Sequence, residues 1–448
     1  MADILPFRGL IYDTKKVGDL SLVTSPPYDV ISEKAKPKYY AKHPNNVIRL
    51  ELGDGSLGQD RYRFCAQFLA DWEEKGILVR EKDPAFYYYQ VDFLLDGGKR
   101  RTRRGFIGLC GLEEFEKGKI LPHERIHEAQ KEDRLKLMKI CRANLSLIFS
   151  LYPDPHHTVL SLFERWTTRP PLFTYLDEDG TRHTVWSFKD RELIRQVKDR
   201  MRDKVLFIAD GHHRFEAALA YKREMEKKSS PTGKEPFNYT LMYFCPFEDG
   251  GLTILPSHRL VFNLTRFDRG RFESRLREYF QITDYPFNPE NERGKRTEFL
   301  QALEEAGAKG HAFGLYIQGD DYYTLLQLKS ELDLSAVVAR NIPPVLQKLD
   351  VIILHQIMLE QSLGLEQKDQ DQQRIQIIKN SQRALDLVKE GAFQMVFLLN
   401  PPKVEEVQRV ASEREYMPQK STFFYPKLPS GMVINKLVDD ETTDDRIP

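Results

Sequence analysis

The feature that most constrains the fold is a short apolar run, followed at once by a polar turn containing glycine and then by an amphipathic stretch. Residues 205–209 are typical of a buried strand, and residues 215–226 have apolar side chains at helical spacing. The turn between them reads Asp210-Gly211-His212-His213-Arg214. This order predicts a strand, a tight turn and a helix, which is a building unit of α/β proteins.

The same turn is a candidate anion site. A helix N-terminus leaves its first amides unpaired and has a partial positive charge, so it attracts phosphate or carboxylate. Gly211 lets a ligand approach the backbone, and Arg214 offers a planar guanidinium for phosphate oxygens. Burying His212, His213 and Arg214 without a partner would be costly. The alternative is that Asp210 caps the helix and the histidines are exposed.

The rest of the chain predicts a mixed α/β (α+β) protein of three regions: an N-terminal α/β region at 1–84, a central domain at 85–263 and a C-terminal α/β domain at 264–448. In the central domain, strands at 86–95 and 104–112 flank a predicted turn, Asp96-Gly97-Gly98. A basic run at 99–104 lies on this hairpin. It is interpreted as a charged edge strand, with a nucleic-acid contact as the alternative.

Composition excludes several classes of protein. The 448 residues include 67 basic and 67 acidic side chains, and this balance argues against a global electrostatic grip on nucleic acid or an anionic membrane. The four cysteines are far apart and form no C-x-x-C pair, which suits a reducing compartment. Because no apolar run approaches the ~20 residues of a membrane span and no signal peptide is visible, we expect a cytoplasmic protein.

A second candidate site is His123-Glu124-Arg125-Ile126-His127, which fits the H-E-x-x-H pattern of zinc hydrolases. Pro122 places His123 at the start of the predicted helix at 125–142, and the residues that follow are very polar. A charged helix start without chemistry is therefore a second interpretation. In a third, Glu124 is a general base or a metal-linked carboxylate near the phosphate site, and Arg134 holds an anion.

Further candidates lie near both ends of the chain. Lysine and hydroxyl donors at 420–427 suit phosphate oxygens, and their loop could cover a site in another domain; the alternative is a plain surface loop. These donors are Lys420, Ser421, Thr422 and Lys427. Near the N-terminus, a Pro-Pro turn presents Tyr28 and Asp29, where Asp29 would pair with a substrate ammonium or simply stabilise the turn. His258 and Arg259 are additional candidates for substrate binding.

Residues 208–219 resemble the signature turn and helix of the ParB/sulfiredoxin-like fold, in which the corresponding segment binds phosphates. The chain as a whole is similar to a large prokaryotic family of uncharacterised proteins. The residues that carry this resemblance lie at 26–30, 123–124, 131–134, 210–214, 258–259 and 417–427. Because some proteins with this fold are free-serine kinases, the resemblance implies a ParB/sulfiredoxin-like central domain and pyrophosphate-dependent phosphorylation of L-serine.

These observations together predict a small-molecule phosphotransferase. Pyrophosphate, or the terminal phosphates of a nucleotide, would dock on the amides after Gly211, while Asp210 and Mg²⁺ neutralise charge. Glu124 would accept the proton of the serine hydroxyl, and His123 would contribute to substrate binding. Two rivals stay open: a ParB-like nucleotide-gated DNA-binding protein, and a zinc metallohydrolase using His123 and His127. The sequence specifies neither the phosphate donor nor the oligomeric state.

Overall fold

The computed structural model describes residues 3–53, 60–95, 98–228, 232–265, 267–365 and 374–438. The chain divides into two compact units, which we call unit 1 (Met1–Thr253 with Pro426–Pro448) and unit 2 (Ile254–Tyr425). The boundary predicted near 84 lies inside unit 1, and the second boundary lies between 253 and 254. Unit 1 therefore contains the regions predicted as 1–84 and most of 85–263, together with the last segment of the chain.

The strands, numbered along the chain, are β1 (Ile4–Leu5), β2 (Leu10–Tyr12), β3 (Leu78–Arg80), β4 (Phe86–Leu94), β5 (Arg100–Gly111), β6 (Ile120–Leu121), β7 (Ala143–Asn144), β8 (Ile148–Tyr152), β9 (Phe173–Leu176), β10 (Arg182–Phe188), β11 (Leu206–Asp210), β12 (Tyr239–Pro246), β13 (Thr253–Ile254), β14 (His258–Val261), β15 (Phe280–Pro286), β16 (Ala312–Ile317), β17 (Tyr322–Leu328), β18 (Ile375–Ile378), β19 (Met395–Leu399), β20 (Phe424–Tyr425) and β21 (Asn435–Lys436).

The helices are α1 (Thr14–Val17), α2 (Leu20–Val23), α3 (Lys36–Lys42), α4 (Ile48–Glu51), α5 (Arg61–Glu74), α6 (Glu128–Cys141), α7 (Leu160–Glu164), α8 (Arg191–Met201), α9 (His212–Lys228), α10 (Arg269–Tyr279), α11 (Glu292–Lys309), α12 (Leu334–Val337), α13 (Pro344–Gln347), α14 (Asp350–Ile353), α15 (Ser381–Lys389) and α16 (Val404–Ser412). Short 3₁₀ turns lie at Tyr28–Val30, Phe115–Lys117 and Pro236–Asn238. A π-helix, Leu354–Ser362, continues directly from α14.

Unit 1 is built on a mixed sheet, which confirms the mixed α/β class. Within the described residues it has nine strands in the order β6-β11-β8-β12-β5-β4-β10-β9, with β1 also pairing with β5. The β6/β11 and β8/β12 pairs are parallel, and the others are antiparallel. Helix α9 packs its apolar side, including Phe215, Ala218 and Leu219, into the core cluster of this unit. The sheet thereby fixes the end of β11, where the candidate turn begins.

The basic run at 99–104 lies on the part of β5 that pairs with β4 alone among the described strands, as the edge-strand interpretation expects. The hairpin partners β4 and β5 are antiparallel as predicted, although Asp96 and Gly97 of the predicted turn lie outside the described residues. Strand β5 becomes internal only over 106–111, where it also pairs with β12 and β1. Arg103 is fully buried, and Arg101 donates to the carbonyl of Gly250 at 3.0 Å. These contacts turn part of the basic run toward the protein itself.

Unit 2 is built on an antiparallel sheet of six strands among the described residues, in the order β15-β17-β16-β19-β14-β18. One face packs on α10 and the π-helix through a cluster that includes Phe397 and Ile357, and the other packs on α11 and α15. The apolar residues at 345–363 have the spacing of one helix, but this segment is divided into α13, α14 and the π-helix. No helix in the described part of the chain is long and apolar enough to cross a membrane.

Candidate functional site

The predicted strand, turn and helix are confirmed in unit 1. Strand β11 ends at Asp210 and α9 begins at His212, so the helix starts earlier than the apolar periodicity indicated. Gly211 has φ +92°, and a Cβ there would lie 2.9 Å from Nε of Arg214. Because a side chain at this position would be both strained and blocked, the turn requires glycine. The amides of Arg214 and Phe215 both donate to the Gly211 carbonyl at 3.0 Å.

Asp210 is the centre of an ion-pair network rather than a helix cap. Its Oδ1 accepts from Nζ of Lys427 at 2.8 Å, and its Oδ2 accepts from Nη2 of Arg214 at 3.2 Å. Burial raises the pKa of Asp210, but the charges of Lys427 and Arg214 and the Lys427 hydrogen bond outweigh it and hold this pKa at about 2. The carboxylate is therefore ionised at any physiological pH, and it joins the end of the chain to the turn.

Lys427 is positioned by the most deeply buried arginine of unit 1. Nη1 of Arg103 donates to the carbonyl of Pro426 at 2.8 Å, and its guanidinium carbon lies 4.7 Å from the ring centroid of Phe149. Anchoring the carbonyl that precedes Lys427 restricts where the ammonium group can reach. Sequence reasoning missed this role of Arg103, because the basic run gave no sign that one member is completely buried.

The guanidinium of Arg214 folds back against Gly211 and is largely engaged by the protein. Nη1 donates to the carbonyl of Leu147, and Nη2 donates to Asp210. Nε is buried and has no hydrogen-bond partner within the described residues. Arg214 therefore supplies positive charge and one unused donor at the turn, rather than a fully open fork for phosphate.

The two histidines of the turn hold the backbone of the loop that carries Glu124. Nε2 of His212 accepts from the backbone N–H of His123 at 3.3 Å, and Nε2 of His213 accepts from the backbone N–H of His127 at 2.9 Å. Glu124, which is partly buried, lies between these two attachment points. Holding both sides of Glu124 is a contribution of the histidines that the sequence did not indicate.

These contacts require neutral imidazoles. A ring nitrogen can accept from an amide only when it is unprotonated, and Nδ1 of His123 must carry a proton to donate to the Ile208 carbonyl at 2.6 Å. Burial lowers the pKa of His123 to about 4 and that of His213 to about 4, and it also lowers the pKa of His212 well below its usual range. The positive charges of neighbouring groups add to the effect of burial on His212 and His213.

Two helix N-termini meet at this loop. Helix α6 begins at Glu128, with His127 at its N-cap position and no side chain capping it, and the His127 amide donates to His213 in the first turn of α9. The two rings are nearly parallel, with centroids 6.0 Å apart. Since each helix N-terminus has a partial positive charge, their convergence favours an anion.

The zinc interpretation fails on the same geometry. His123 and His127 do not lie one turn apart on a helix, because residues 122–127 are non-helical and α6 starts only at Glu128. No group of three or more histidine, cysteine, aspartate or glutamate side chains in the described segments could hold a metal ion. The H-E-x-x-H motif requires both histidines to lie on one helix, and this condition is not met.

Tyr28 and Arg134 are in contact, and Arg134 is held by a buried acid, Glu51, that the sequence did not point to. The Arg134 guanidinium lies 3.8 Å from the Tyr28 ring centroid and donates from Nη1 to Glu51 at 2.9 Å. Glu51 is only 2% exposed and also accepts from Ser430 at 3.1 Å. The sequence signal that could have identified Glu51 is its position within the mainly apolar stretch 47–52. Arg134 is thus already paired with a carboxylate of the protein.

Asp29 lies close enough to Asp210 for their charges to interact. The surrounding protein withdraws its carboxylate from bulk water and raises its pKa; the negative charge of Asp210 raises it further, against the opposing charges of Arg214 and Lys427. Asp29 nevertheless keeps an exposed surface, so a small molecule can reach it. Two neighbouring carboxylates, one with a lowered and one with a raised pKa, are the pattern expected of an acid–base site.

A cavity of ≈ 30 Å³ is lined by Glu51, Arg134 and Arg214, together with apolar side chains. This volume holds about one water molecule. Tyr28, whose ring packs on Arg134, is half-buried, and burial raises its pKa to about 12.

The remaining predicted residues belong to unit 2. Ser421 donates from Oγ to the Pro418 carbonyl at 2.6 Å, and the Lys420 carbonyl accepts from Oγ of Ser257 at 2.9 Å. Lys420 and Thr422 lie in the same loop, whereas Lys427, predicted as part of that loop, belongs to unit 1. His258 and Arg259 begin β14.

The comparisons with known proteins give a family and distant structural likenesses. A family model described as "Protein of unknown function (DUF1015)" matches residues 4–352. No curated protein matches the sequence. Solved structures that are similar include a free serine kinase in complex with AMP (14% identity, 71% of this chain and 89% of that one, TM-score 0.33). Others are a conserved hypothetical protein from Pyrococcus furiosus (14%, 73% and 94%, 0.31) and SbnI with a C-terminal truncation from Staphylococcus aureus (10%, 76% and 92%, 0.33).

Proposed function

The chain belongs to this family of proteins of unknown function, and on that premise we propose that it is a small-molecule phosphotransferase with its site at the β11–α9 turn of unit 1. The proposed reaction transfers the terminal phosphoryl group of pyrophosphate, or of a nucleotide, to the hydroxyl of free L-serine. The products would be O-phospho-L-serine and either inorganic phosphate or the shortened nucleotide. Serine as acceptor and pyrophosphate as donor rest on the resemblance described above.

The observation that carries the proposal is the concentration of anion-binding features around one ionised carboxylate. The N-termini of α6 and α9 meet beside Asp210, and Lys427 and Arg214 both donate to it. Phosphoryl transfer is accelerated mainly by positioning and by fixed positive groups around the transferred phosphorus. A phosphate oxyanion would compete with Asp210 for Lys427. It would also accept hydrogen bonds from the unpaired backbone amides at the N-terminus of α9.

Asp29 is the proposed acceptor for the serine proton, in preference to Glu124. Its raised pKa makes it a better base than Asp210, and its exposed surface lets a hydroxyl approach. As the serine oxygen bonds to phosphorus, the bond from phosphorus to the bridging oxygen breaks, and the hydroxyl proton passes to Asp29. Glu124, whose loop His212 and His213 hold in place, is the alternative acceptor.

Mg²⁺ is the proposed cofactor, and the carboxylates fit it in part. Magnesium is usually held by one or two carboxylates together with substrate phosphates, so Asp210 would be its protein ligand, and Asp29 stays available as the base. When bound, the ion would neutralise charge on the phosphates. Asp210 would then share its oxygens between the ion and Lys427, since Lys427 already donates to Oδ1.

One incubation series tests the proposal. Purified full-length protein is mixed with L-serine, Mg²⁺ and, in separate tubes, pyrophosphate, ADP or ATP, and O-phosphoserine is followed by phosphorus NMR. We expect product with at least one donor, and the productive tube identifies it. Absence of product with all three donors would refute the kinase assignment.

Substitutions at the two carboxylates test the site itself. Asp210→Asn and Asp29→Asn should each lower kcat at least about a hundredfold, the order expected when a positioned acid–base group is removed. Asp154→Asn is the matched control, because Asp154 is a buried aspartate of unit 1 that pairs with another lysine, Lys204, at 3.3 Å. Equal losses in all three variants would indicate a general structural effect and contradict the assignment.

A further inference from the structure

Unit 2 contains a buried arginine on an internal strand. Arg259 is only 5% exposed and lies in β14, opposite Ile377 of β18 and Phe397 of β19. Because successive side chains of a strand alternate between faces, Arg259 and its neighbour His258 point to opposite sides of the sheet. The two residues therefore do not share one ligand, although they are adjacent in sequence.

Among the described residues, Arg259 has no acidic partner of the kind that a buried arginine normally has. Its Nη1 donates to the carbonyl of Ser257, and the other guanidinium nitrogens have no acceptor within the described residues. The other well-buried arginine of unit 2, Arg296, is 9% exposed and pairs with both Glu292 and Asp386. Burial lowers the pKa of Arg259 to about 10, since no neighbouring carboxylate offsets it.

Further positive and hydroxyl groups lie on the same face as Arg259. The pairing of His258 with Ile378 places Lys379 opposite Ser257, and Nζ of Lys379 donates to Oγ of Ser257 at 2.6 Å. Strand alternation then puts Ser257, Arg259 and Lys379 on one side of the sheet. Burial, followed by the charges of Lys379 and Arg259, lowers the pKa of His258 to about 3, which reports a positive electrostatic potential in this region.

The described acidic groups Glu360 and Asp350, which lie in or before the π-helix, are already engaged. The π-helix places His355 where the charge of Arg259 lowers its pKa, after burial and against the opposing effect of Glu360. Glu360 pairs with His355 at 2.9 Å and accepts from Gln356 at 2.6 Å. Asp350, which lines a small cavity with Ser257 and Glu406, pairs with His311 at 2.7 Å. π-Helical segments occur frequently at functional sites.

A buried cation without a counter-ion is expensive, and ordinary folding would replace it by an apolar side chain. Two hydrogen-bonding nitrogens on one edge of a guanidinium match two oxygens of a phosphate. We propose that unit 2 binds a phosphate dianion at Arg259, with Nε and Nη2 as a bidentate donor pair and Lys379 contributing the second positive charge. This site is additional to the proposed phosphotransferase site and is built from residues of unit 2 alone.

Calorimetric titration of inorganic phosphate into the full-length Lys427→Met protein tests the proposal, because that background removes a positive charge from the proposed site of unit 1. We expect one phosphate to bind per chain. Adding Arg259→Gln should abolish this binding, whereas adding Arg259→Lys should retain the charge but raise the Kd at least tenfold, since the bidentate contact is lost. An unchanged Kd in both double variants would overturn the proposal, and so would the absence of binding to Lys427→Met protein.

Thermal unfolding in phosphate-free buffer provides a second readout for the single Arg259→Gln variant. Removing an uncompensated buried charge should leave the Tm unchanged or raised, and added phosphate should raise the Tm of the unsubstituted protein more than that of the variant at equal ionic strength. A lowered Tm with an equal phosphate effect in both proteins would show that Arg259 is structural. These outcomes do not depend on kinase activity, so failure here is distinct from failure of the proposed function.

Discussion

The buried arginines of the two units differ in what neutralises them. In unit 1, Arg134 pairs with the buried Glu51, and Arg214 pairs with Asp210. The fully buried Arg103 of unit 1 also donates to a backbone carbonyl, but its guanidinium lies 4.7 Å from the centroid of an aromatic ring. In unit 2, Arg259 is buried to a similar degree and donates to a backbone carbonyl. The environment lowers the pKa of the acid in unit 1, where Asp210 falls to about 2, and lowers the pKa of the base in unit 2. Unit 1 thus neutralises two arginines with acids and places a third on an aromatic ring, whereas the proposed counter-ion of Arg259 is a phosphate.

Breaking the buried pair of unit 1 should have the largest effect on stability. Glu51→Gln leaves Arg134 without its buried carboxylate, which costs about 3–5 kcal/mol of unfolding free energy. Chemical denaturation of full-length protein measures this change. Glu178→Gln is the control, because Glu178 is exposed and its contact with Lys38 at 2.8 Å contributes at most about 1 kcal/mol. A Glu51→Gln variant as stable as Glu178→Gln would remove the distinction between the two units.

Lys427→Met tests how much the positive charge of Lys427 contributes to catalysis in unit 1, separately from its contribution to stability. We expect about a hundredfold loss of phosphotransferase kcat, equivalent to about 2.7 kcal/mol, because a cation at the phosphate is removed. The pKa of Asp210 should rise, since the positive charge of Lys427 lowers it. Activity and the carboxyl resonance of Asp210 in NMR titrations report these effects. Lys204→Met, at the Asp154 pair, should change neither; an equal loss there would contradict the site.

Acid should weaken unit 1 through its neutral histidines. The folded pKa values of His123 and His213 are about 4, and that of His212 is also lowered well below the ordinary value near 6.5, so the unfolded chain binds more protons. Stability is therefore greatest above about pH 6.5 and decreases as the pH falls toward 4. We expect a loss of at least about 2 kcal/mol between pH 7 and pH 5 in urea titrations. A flat profile would show that these imidazoles are not held neutral.

His213→Ala should have the smallest effect of the four. It removes the acceptor for the His127 amide, and one such hydrogen bond is worth about 1 kcal/mol. Amide hydrogen exchange at 123–131 should accelerate, because the loop loses one of its two attachments. His156→Ala replaces an exposed histidine and should change exchange there by no measurable amount. Unchanged exchange in both variants would show that His213 does not hold the loop.

Local pattern predicted the secondary structure well where a segment packs as one continuous element. The helical spacing of apolar residues at 60–75 and 269–279 predicts two helices, which are α5 and α10. The apolar runs at 312–317 and 322–328 predict two strands, which are β16 and β17. The pattern failed at 345–363, where apolar spacing alone does not distinguish an α-helix from a π-helix. It failed again for the H-E-x-x-H motif, because the spacing of two histidines does not specify whether the chain between them is helical.

The sequence by itself determined the turn at 210–214: glycine is required by a positive φ, an apolar strand precedes it, and an amphipathic helix follows. Only the tertiary structure decided the partners of that turn. Lys427, Glu51 and Arg103 come from separate parts of the chain within unit 1, and Arg259 is buried with no acidic partner among the described residues. Local conformation depends on neighbouring residues and can be predicted from them, whereas the neutralisation of a charge depends on residues that only folding brings together.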